Sequence, residues 1–214
     1  MHPQQKSRLN AGGSRSASVD RTEGLIPLLR RVRDCRVCEA HLSPRPLLQA
    51  SESARILIVG QAPGARAHET GIPWNDASGA RLRDWLGLDD SVFYDASTVA
   101  IIPVGFCYPG RGRSGDLAPR PECAPLWFAP LLARLPRIEM VVLAGRHSQR
   151  LVLGRRARES LTATVRAWRT YAPRCYPLPH PSPRNQAWLK RNPWFERALI
   201  PELRARIRSL IVPR

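Results

Sequence analysis

Short apolar runs that alternate with helical segments constrain the fold of this chain more than any other feature of its sequence. The runs cover residues 55–60, 98–102 and 140–145, and they are rich in β-branched residues. A strand that reads as one continuous apolar run is buried on both faces, as in a parallel sheet covered by helices. The alternation therefore predicts an α/β fold with a central, mostly parallel sheet flanked by helices.

The remaining segments complete the predicted order of elements. Helical spacing of apolar residues predicts helices over 25–35, after Gly79, over 125–135, over 148–153, and over 194–211 with an interruption at Pro201. Residues 176–178 supply a short fourth strand. A chain of 214 residues with one such set of elements fits a single domain. Because ligand loops collect at the carboxyl ends of parallel strands, the loops that follow the runs are the first candidates for a site.

The charge of the chain favours a polyanionic partner. The formal net charge is +17, from 34 basic and 17 acidic residues. Such an excess attracts nucleic acid through the release of counterions, which makes DNA the leading partner. An arginine-rich coding bias is the alternative, since Lys6 and Lys190 are the only lysines.

The N-terminal segment differs from the rest of the chain. Residues 1–20 are polar, rich in Gly, Ser and Arg, and lack hydrophobic periodicity, which predicts a disordered basic tail before a domain over 21–214. No apolar run approaches the roughly 18 residues of a membrane span, and the N-terminus lacks the apolar core of a secretory signal. We expect a cytoplasmic monomer that does not contact membranes.

Four of the five cysteines are spaced so that they could form one site. Cys35 and Cys38 form a C-x-x-C pair, Cys107 and Cys123 follow the second strand, and Cys175 stands alone. A C-x-x-C pair suits zinc, an iron–sulfur cluster or disulfide chemistry equally well. The residues themselves leave open a zinc site, a cluster, a redox pair and separate buried thiols.

The loop after the first run has the composition of a ligand-binding turn. It reads Gly60, Gln61, Ala62, Pro63 and Gly64, and glycine and proline let backbone amides approach a ligand closely at a strand end.

Residues 70–79 continue this loop and contain Trp74, Asn75 and Asp76. Trp74 is either a base-stacking residue or an ordinary core tryptophan. Asp76 is either a functional carboxylate or the N-cap of the next helix, where Asp is favoured.

A second loop, residues 178–185, follows the fourth strand and contains His180, Ser182 and Asn185 among three prolines. A lone histidine is more often structural than catalytic. The rigid prolines around His180, together with the loop after the first run, favour a functional role for this histidine.

Together these motifs resemble the uracil-DNA glycosylase superfamily, in its iron–sulfur type. The order of the cysteines is similar to that of the thermophile-type bacterial enzymes, and residues 70–79 resemble the corresponding segment of the broad-specificity subfamily. Residues 180–185 resemble the His-Pro-Ser-Pro-Arg-Asn motif of the single-strand-selective enzymes. The resemblance spans residues 30 to about 205. It implies a glycosylase that flips a deaminated base out of DNA and hydrolyses its N-glycosidic bond.

The resemblance also implies a cofactor. A 4Fe-4S iron–sulfur cluster would be held by Cys35, Cys38, Cys107 and Cys123. Its implied role is structural, because it would tie the first helix and a DNA-facing loop to the sheet.

Roles for the loop residues follow from the same resemblance. His180 would hydrogen-bond the pyrimidine O2 as the base departs as an anion, and Asp76 would orient water or stabilise the sugar cation. Trp74 would stack on the flipped base, and Ser182 would press on a phosphate. The substrate-binding residues implied are listed here: Gly60, Gln61, Ala62, Trp74, Asn75, Ser182 and Asn185.

Two departures from the family pattern bear on substrate choice. Gln61 and Ala62 replace the acidic residue often found in the first loop, and Pro103 stands where enzymes that read uracil stringently place an asparagine. Asn75 or Asn185 would then have to read the base edge, and hypoxanthine or xanthine become plausible substrates. Two alternatives remain: a DNA-binding or abasic-site-capturing protein with little hydrolysis, and an iron–sulfur enzyme that does not act on nucleic acid.

Overall fold

The apolar runs form a four-stranded sheet at the centre of the molecule. A computed structural model describes residues 23–113 and 115–211. Its strands are β1 Ile56–Val59, β2 Val99–Ile101, β3 Arg111–Gly112, β4 Gly115–Asp116, β5 Met140–Ala144 and β6 Cys175–Leu178. The order in the central sheet is β2-β1-β5-β6, and each neighbouring pair is parallel. The predicted α/β fold is confirmed, and the four strands are all parallel. Strands β3 and β4 form a separate antiparallel hairpin.

Helices follow the strands as the alternation of the sequence predicts. They are α1 Leu25–Arg33, α2 Ala65–Thr70, α3 Ala77–Leu86, α4 Asp90–Phe93, α5 Ala129–Leu132, α6 Arg146–Leu153, α7 Leu161–Arg166, α8 Gln186–Arg191 and α9 Ile200–Ile211. Short π-helical turns, Ala124–Phe128 and Phe195–Leu199, precede α5 and α9. Pro201 is the second residue of α9, so the interruption predicted at Pro201 lies before it, in the second of these turns. Proline removes one donor from the helical ladder there. Each described helix is too short or too polar to cross a membrane.

Both faces of the sheet are buried. Along β1, Ile56 and Ile58 belong to one hydrophobic cluster, and Leu57 and Val59 belong to the other. Side chains of α3 and α9 cover the first face, while α1 and α5 cover the second. This two-sided burial explains why the strands read as continuous apolar runs.

The carboxyl ends of the strands meet at one edge, where backbone hydrogen bonds hold the site loops together. The amide of Val104 donates to Gly60 O at 3.0 Å, and that of Gly145 donates to Leu178 O at 3.0 Å. The loops after β1, β2, β5 and β6 therefore share one edge of the sheet. The predicted tail, residues 1–20, lies outside the described residues, as do the first two residues of the predicted domain.

Candidate active site

A cavity of about 570 Å³ opens at this edge of the sheet. The loops after β1, β2 and β6, the start of α3 and the β3–β4 hairpin form its walls. Among the residues predicted from the sequence, its lining includes Gly60, Gln61, Ala62, Trp74, Asp76, His180, Ser182 and Asn185. The structure thus brings together segments that are more than 100 residues apart in the chain.

The two candidate readers of the base edge differ in position. Asn75 lies outside this lining, and its amide donates to Thr70 Oγ1 at 3.4 Å. Asn185 lines the cavity, and its amide donates to the backbone oxygen of His180 at 2.7 Å. One function of Asn185 is therefore to fix the loop that carries the histidine. Pro103 also lines the cavity.

Trp74 is held in an unusual backbone conformation at the cavity wall. Its φ of 58° lies in the left-handed region, which is uncommon for a bulky residue. A Cβ on Gly60 would come within 2.8 Å of the indole Cζ2, and a Cβ on Gly79 would collide with the Trp74 backbone oxygen. Arg83 donates to that same oxygen at 3.2 Å. Two glycines and an arginine thus position this indole, which also packs on the first hydrophobic cluster.

His180 lies beside Trp74, with the two ring centroids 5.7 Å apart. Burial lowers the pKa of His180, and it outweighs the opposite effect of the carboxylates of Asp76 and Asp116. The Ser182 amide donates to His180 Nδ1 at 3.2 Å. Because Nδ1 accepts this hydrogen bond, the proton of the neutral ring is on Nε2. In its neutral form this side chain is a hydrogen-bond donor at the cavity.

Asp76 caps α3 and also lines the cavity, so the two interpretations that the sequence left open are compatible. Its Oδ1 accepts a hydrogen bond from the Gly79 amide at 2.8 Å and caps α3. Its Oδ2 faces Gly64, where an added Cβ would lie 3.6 Å away. One oxygen therefore stabilises the helix while the other remains at the cavity.

Sequence reasoning missed Asp116, a second carboxylate in the cavity lining. It ends β4 in the segment between Cys107 and Cys123, for which the sequence predicted no helix or strand. The sequence does not show that Asp116 and Asp76 belong to one site. Asp76 lies 40 positions earlier, and the two carboxylates come near each other only in the folded chain.

The four cysteines Cys35, Cys38, Cys107 and Cys123 line one small cavity on the second face of the sheet. Cys175 is buried apart from them in β6. Among the residues that the structure describes, no group of three or more His, Cys, Asp or Glu side chains is arranged to hold a single metal ion. The donor set around this cavity is made of thiols only.

Comparison with known families agrees with this architecture. A family model described as the Uracil DNA glycosylase superfamily matches residues 48–204. The match runs from just before β1 into α9 and contains every residue that lines the candidate active site except Leu47. It covers well over half of the chain. The chain therefore belongs to the uracil-DNA glycosylase superfamily.

Proposed function

We propose that the protein is a base-excision repair glycosylase that flips uracil or another deaminated base out of DNA and hydrolyses its N-glycosidic bond, leaving an abasic site. Membership of the superfamily supports a DNA glycosylase-type function in general. The observation that carries the proposal is the position of His180 in the cavity, where its Nδ1 accepts the Ser182 amide and its ring lies beside Trp74. The net charge of +17 supports binding to the DNA phosphates.

In this mechanism the base leaves as an anion, and His180 stabilises it. Trp74 supplies an aromatic face that replaces the stacking lost from the duplex. His180 donates from Nε2 to the pyrimidine O2, where negative charge develops as the bond breaks. A preorganised donor of this kind is worth about 3 kcal/mol when the negative charge exists only in the transition state.

The sugar becomes cationic as the base departs. The Oδ2 of Asp76 is the oxygen of that side chain that remains at the cavity, where it stabilises this positive charge or the attacking water. The backbone of Gly60, Gln61 and Ala62 closes the cavity on the side of β1 and approaches the bound nucleotide.

Loose base selection follows from the polar groups in the cavity. Pro103 offers no side-chain donor or acceptor, and one N–H of Asn185 is engaged by the His180 backbone. A site with few fixed base contacts accepts uracil, hypoxanthine and xanthine with less discrimination than one with a dedicated amide.

The four cysteines around one cavity support a 4Fe-4S cluster as cofactor. Among the described residues, the lining supplies four thiols and no His, Asp or Glu side chain, and four thiolates are the ligand set of such a cluster. The cluster would supply cross-links between α1 and the loops before and after the hairpin.

A binding protein that captures flipped bases or abasic sites is the second candidate. Gln61 and Ala62 place no ionisable group in the first loop, which favours slow hydrolysis.

One experiment separates the two candidates. Labelled oligonucleotides that contain uracil, hypoxanthine or xanthine are incubated with the protein, treated with alkali and compared with untreated samples in a retardation gel. We expect strand breaks at the lesion after alkali. Retarded DNA that stays intact for all three lesions would instead support the binding protein.

A further inference from the structure

The lining of the candidate site contains two charged groups that the mechanism above does not use, Asp116 and Arg184. We infer that Asp116 is a second catalytic carboxylate, which together with Asp76 stabilises the cationic sugar formed as the base leaves. This inference rests on the proposed function and deepens it.

The two carboxylates converge on one point of the cavity. A Cβ built on Gly64 would lie 3.6 Å from Asp76 Oδ2 and 3.8 Å from Asp116 Oδ2. Gly64 precedes α2 and carries no side chain that would separate the two oxygens. Both residues belong to the cavity lining that also contains His180 and Trp74.

In the part of the chain that the structure describes, neither carboxylate of the pair forms a salt bridge, although Arg111 lies opposite Asp116 in the hairpin and Arg184 packs on the neighbouring Gly115. The weak contact that Tyr108 Oη makes with Asp116 Oδ1, at 3.5 Å, leaves Oδ2 directed at Gly64. Two carboxylate oxygens that form no salt bridge can attract a positive ligand between them.

The hairpin that carries Asp116 is fixed against the second site loop. Gly115 has a φ of 142°, which favours glycine, and a Cβ at this position would collide with the guanidinium of Arg184. Since Arg184 belongs to the loop of His180, the hairpin and that loop pack directly on each other. Asp116 is therefore positioned by the same loop that holds the histidine.

In the inferred reaction, His180 and the carboxylate pair stabilise opposite charges. The N-glycosidic bond breaks and its electron pair leaves on the base, which His180 stabilises. The positive charge on the sugar faces Asp76 and Asp116. A water oxygen forms the new bond to C1′, one proton of that water passes through a carboxylate of the pair to solvent, and the base anion is protonated by solvent.

The test uses two DNA duplexes that mimic the sugar after base loss. One contains a pyrrolidine abasic analogue, which is cationic at neutral pH, and the other contains the neutral tetrahydrofuran analogue. Wild-type protein should bind the cationic analogue at least about tenfold more tightly. Asp116→Asn should remove most of this preference and slow base release about tenfold, with thermal unfolding unchanged. Glu52→Gln is the matched control, because it removes an exposed carboxylate at the opposite end of β1.

The outcomes distinguish this inference from the proposed function. If Asp116→Asn keeps both the cation preference and the rate, or if wild-type protein shows no preference, the inference is wrong. If wild-type protein prefers the cationic analogue in an Asp116-dependent way but releases no base, the carboxylate pair stands and the proposed hydrolysis fails.

Discussion

His180 is partly buried, and the effect of this burial on its ring makes the stability of the protein depend on pH. Burial lowers its pKa below the ordinary value of 6.5. Below about pH 6.5 the unfolded chain therefore binds a proton at this residue more readily than the folded chain does, and the free energy of unfolding falls as the pH decreases.

His180→Gln should reduce this loss of stability at low pH. Urea denaturation of the wild-type and variant proteins at pH 8 and at pH 5.5 measures this loss. Burial also lowers the pKa of His147, but this residue is present in both proteins and its contribution cancels. An identical pH dependence in the two proteins would show that His180 is not buried as described.

Asp76 serves as a helix cap and as a cavity carboxylate, and two substitutions separate these roles. Asn is as good an N-cap as Asp, whereas Ala costs about 1 kcal/mol. Asp76→Asn should retain stability and Asp76→Ala should lose it, while base release falls about tenfold in both because the charge is gone.

Asp89 provides the control for this pair. It caps α4 by accepting from the Val92 amide at 2.9 Å and lies outside the cavity lining. Asp89→Ala should lower stability without changing the rate. If Asp76→Asn releases base at the wild-type rate, Asp76 is a cap alone.

At the scale of elements, the start of α3 fixes Trp74 through close backbone contact. Gly79→Ala would place a methyl group into the Trp74 carbonyl, so the loop must move. We expect a loss of about 2 kcal/mol or more, although Ala normally favours a helix by about 1 kcal/mol. Affinity for lesion DNA should fall more than affinity for undamaged DNA. Chemical unfolding and gel retardation measure the two effects, and unchanged values in both would exclude this role for Gly79.

The elements that the sequence predicts and those that it misses differ in length. The four strands of the sheet and the long helices were predictable, because continuous apolar runs and helical spacing report burial directly. Helices α2, α4, α7 and α8 have four to six residues, too few for a periodic signal, and the hairpin strands have two each.

The lining of the site was predictable only where a motif marks it. Gly60, Trp74 and His180 stand in motifs and line the cavity. Asn75 stands in a motif but does not line the cavity, because the direction of its side chain depends on local backbone angles such as the positive φ at Trp74. Asp116 lies near Asp76 only through tertiary packing, which no local pattern encodes.

At the scale of the whole molecule, the proposed cluster joins distant segments. Protein purified without oxygen should be brown and contain about four iron atoms per chain. Cys38→Ala should lower both iron content and stability, because it removes one of the ligands that connect α1 to the sheet. Cys175→Ala is the control and should retain the iron. Metal analysis measures the iron content, and thermal unfolding measures the stability. Colourless protein with one zinc ion per chain would contradict the proposed cluster.

The proposed mechanism separates binding from chemistry. In it, the excess of basic residues supplies sequence-independent attraction to phosphates, whereas His180 acts on charge that exists only in the transition state. Changes at His180 should therefore affect rate much more than affinity.

The most direct test of base excision is the single-turnover release of free base, measured by chromatography with enzyme in excess over DNA that contains uracil, hypoxanthine or xanthine. Wild-type protein should release at least one of these bases in full, and His180→Gln should do so at least about tenfold more slowly while binding the DNA within about threefold of wild type. Absence of free base from all three substrates, or an unchanged rate in a folded His180→Gln protein, would contradict the account.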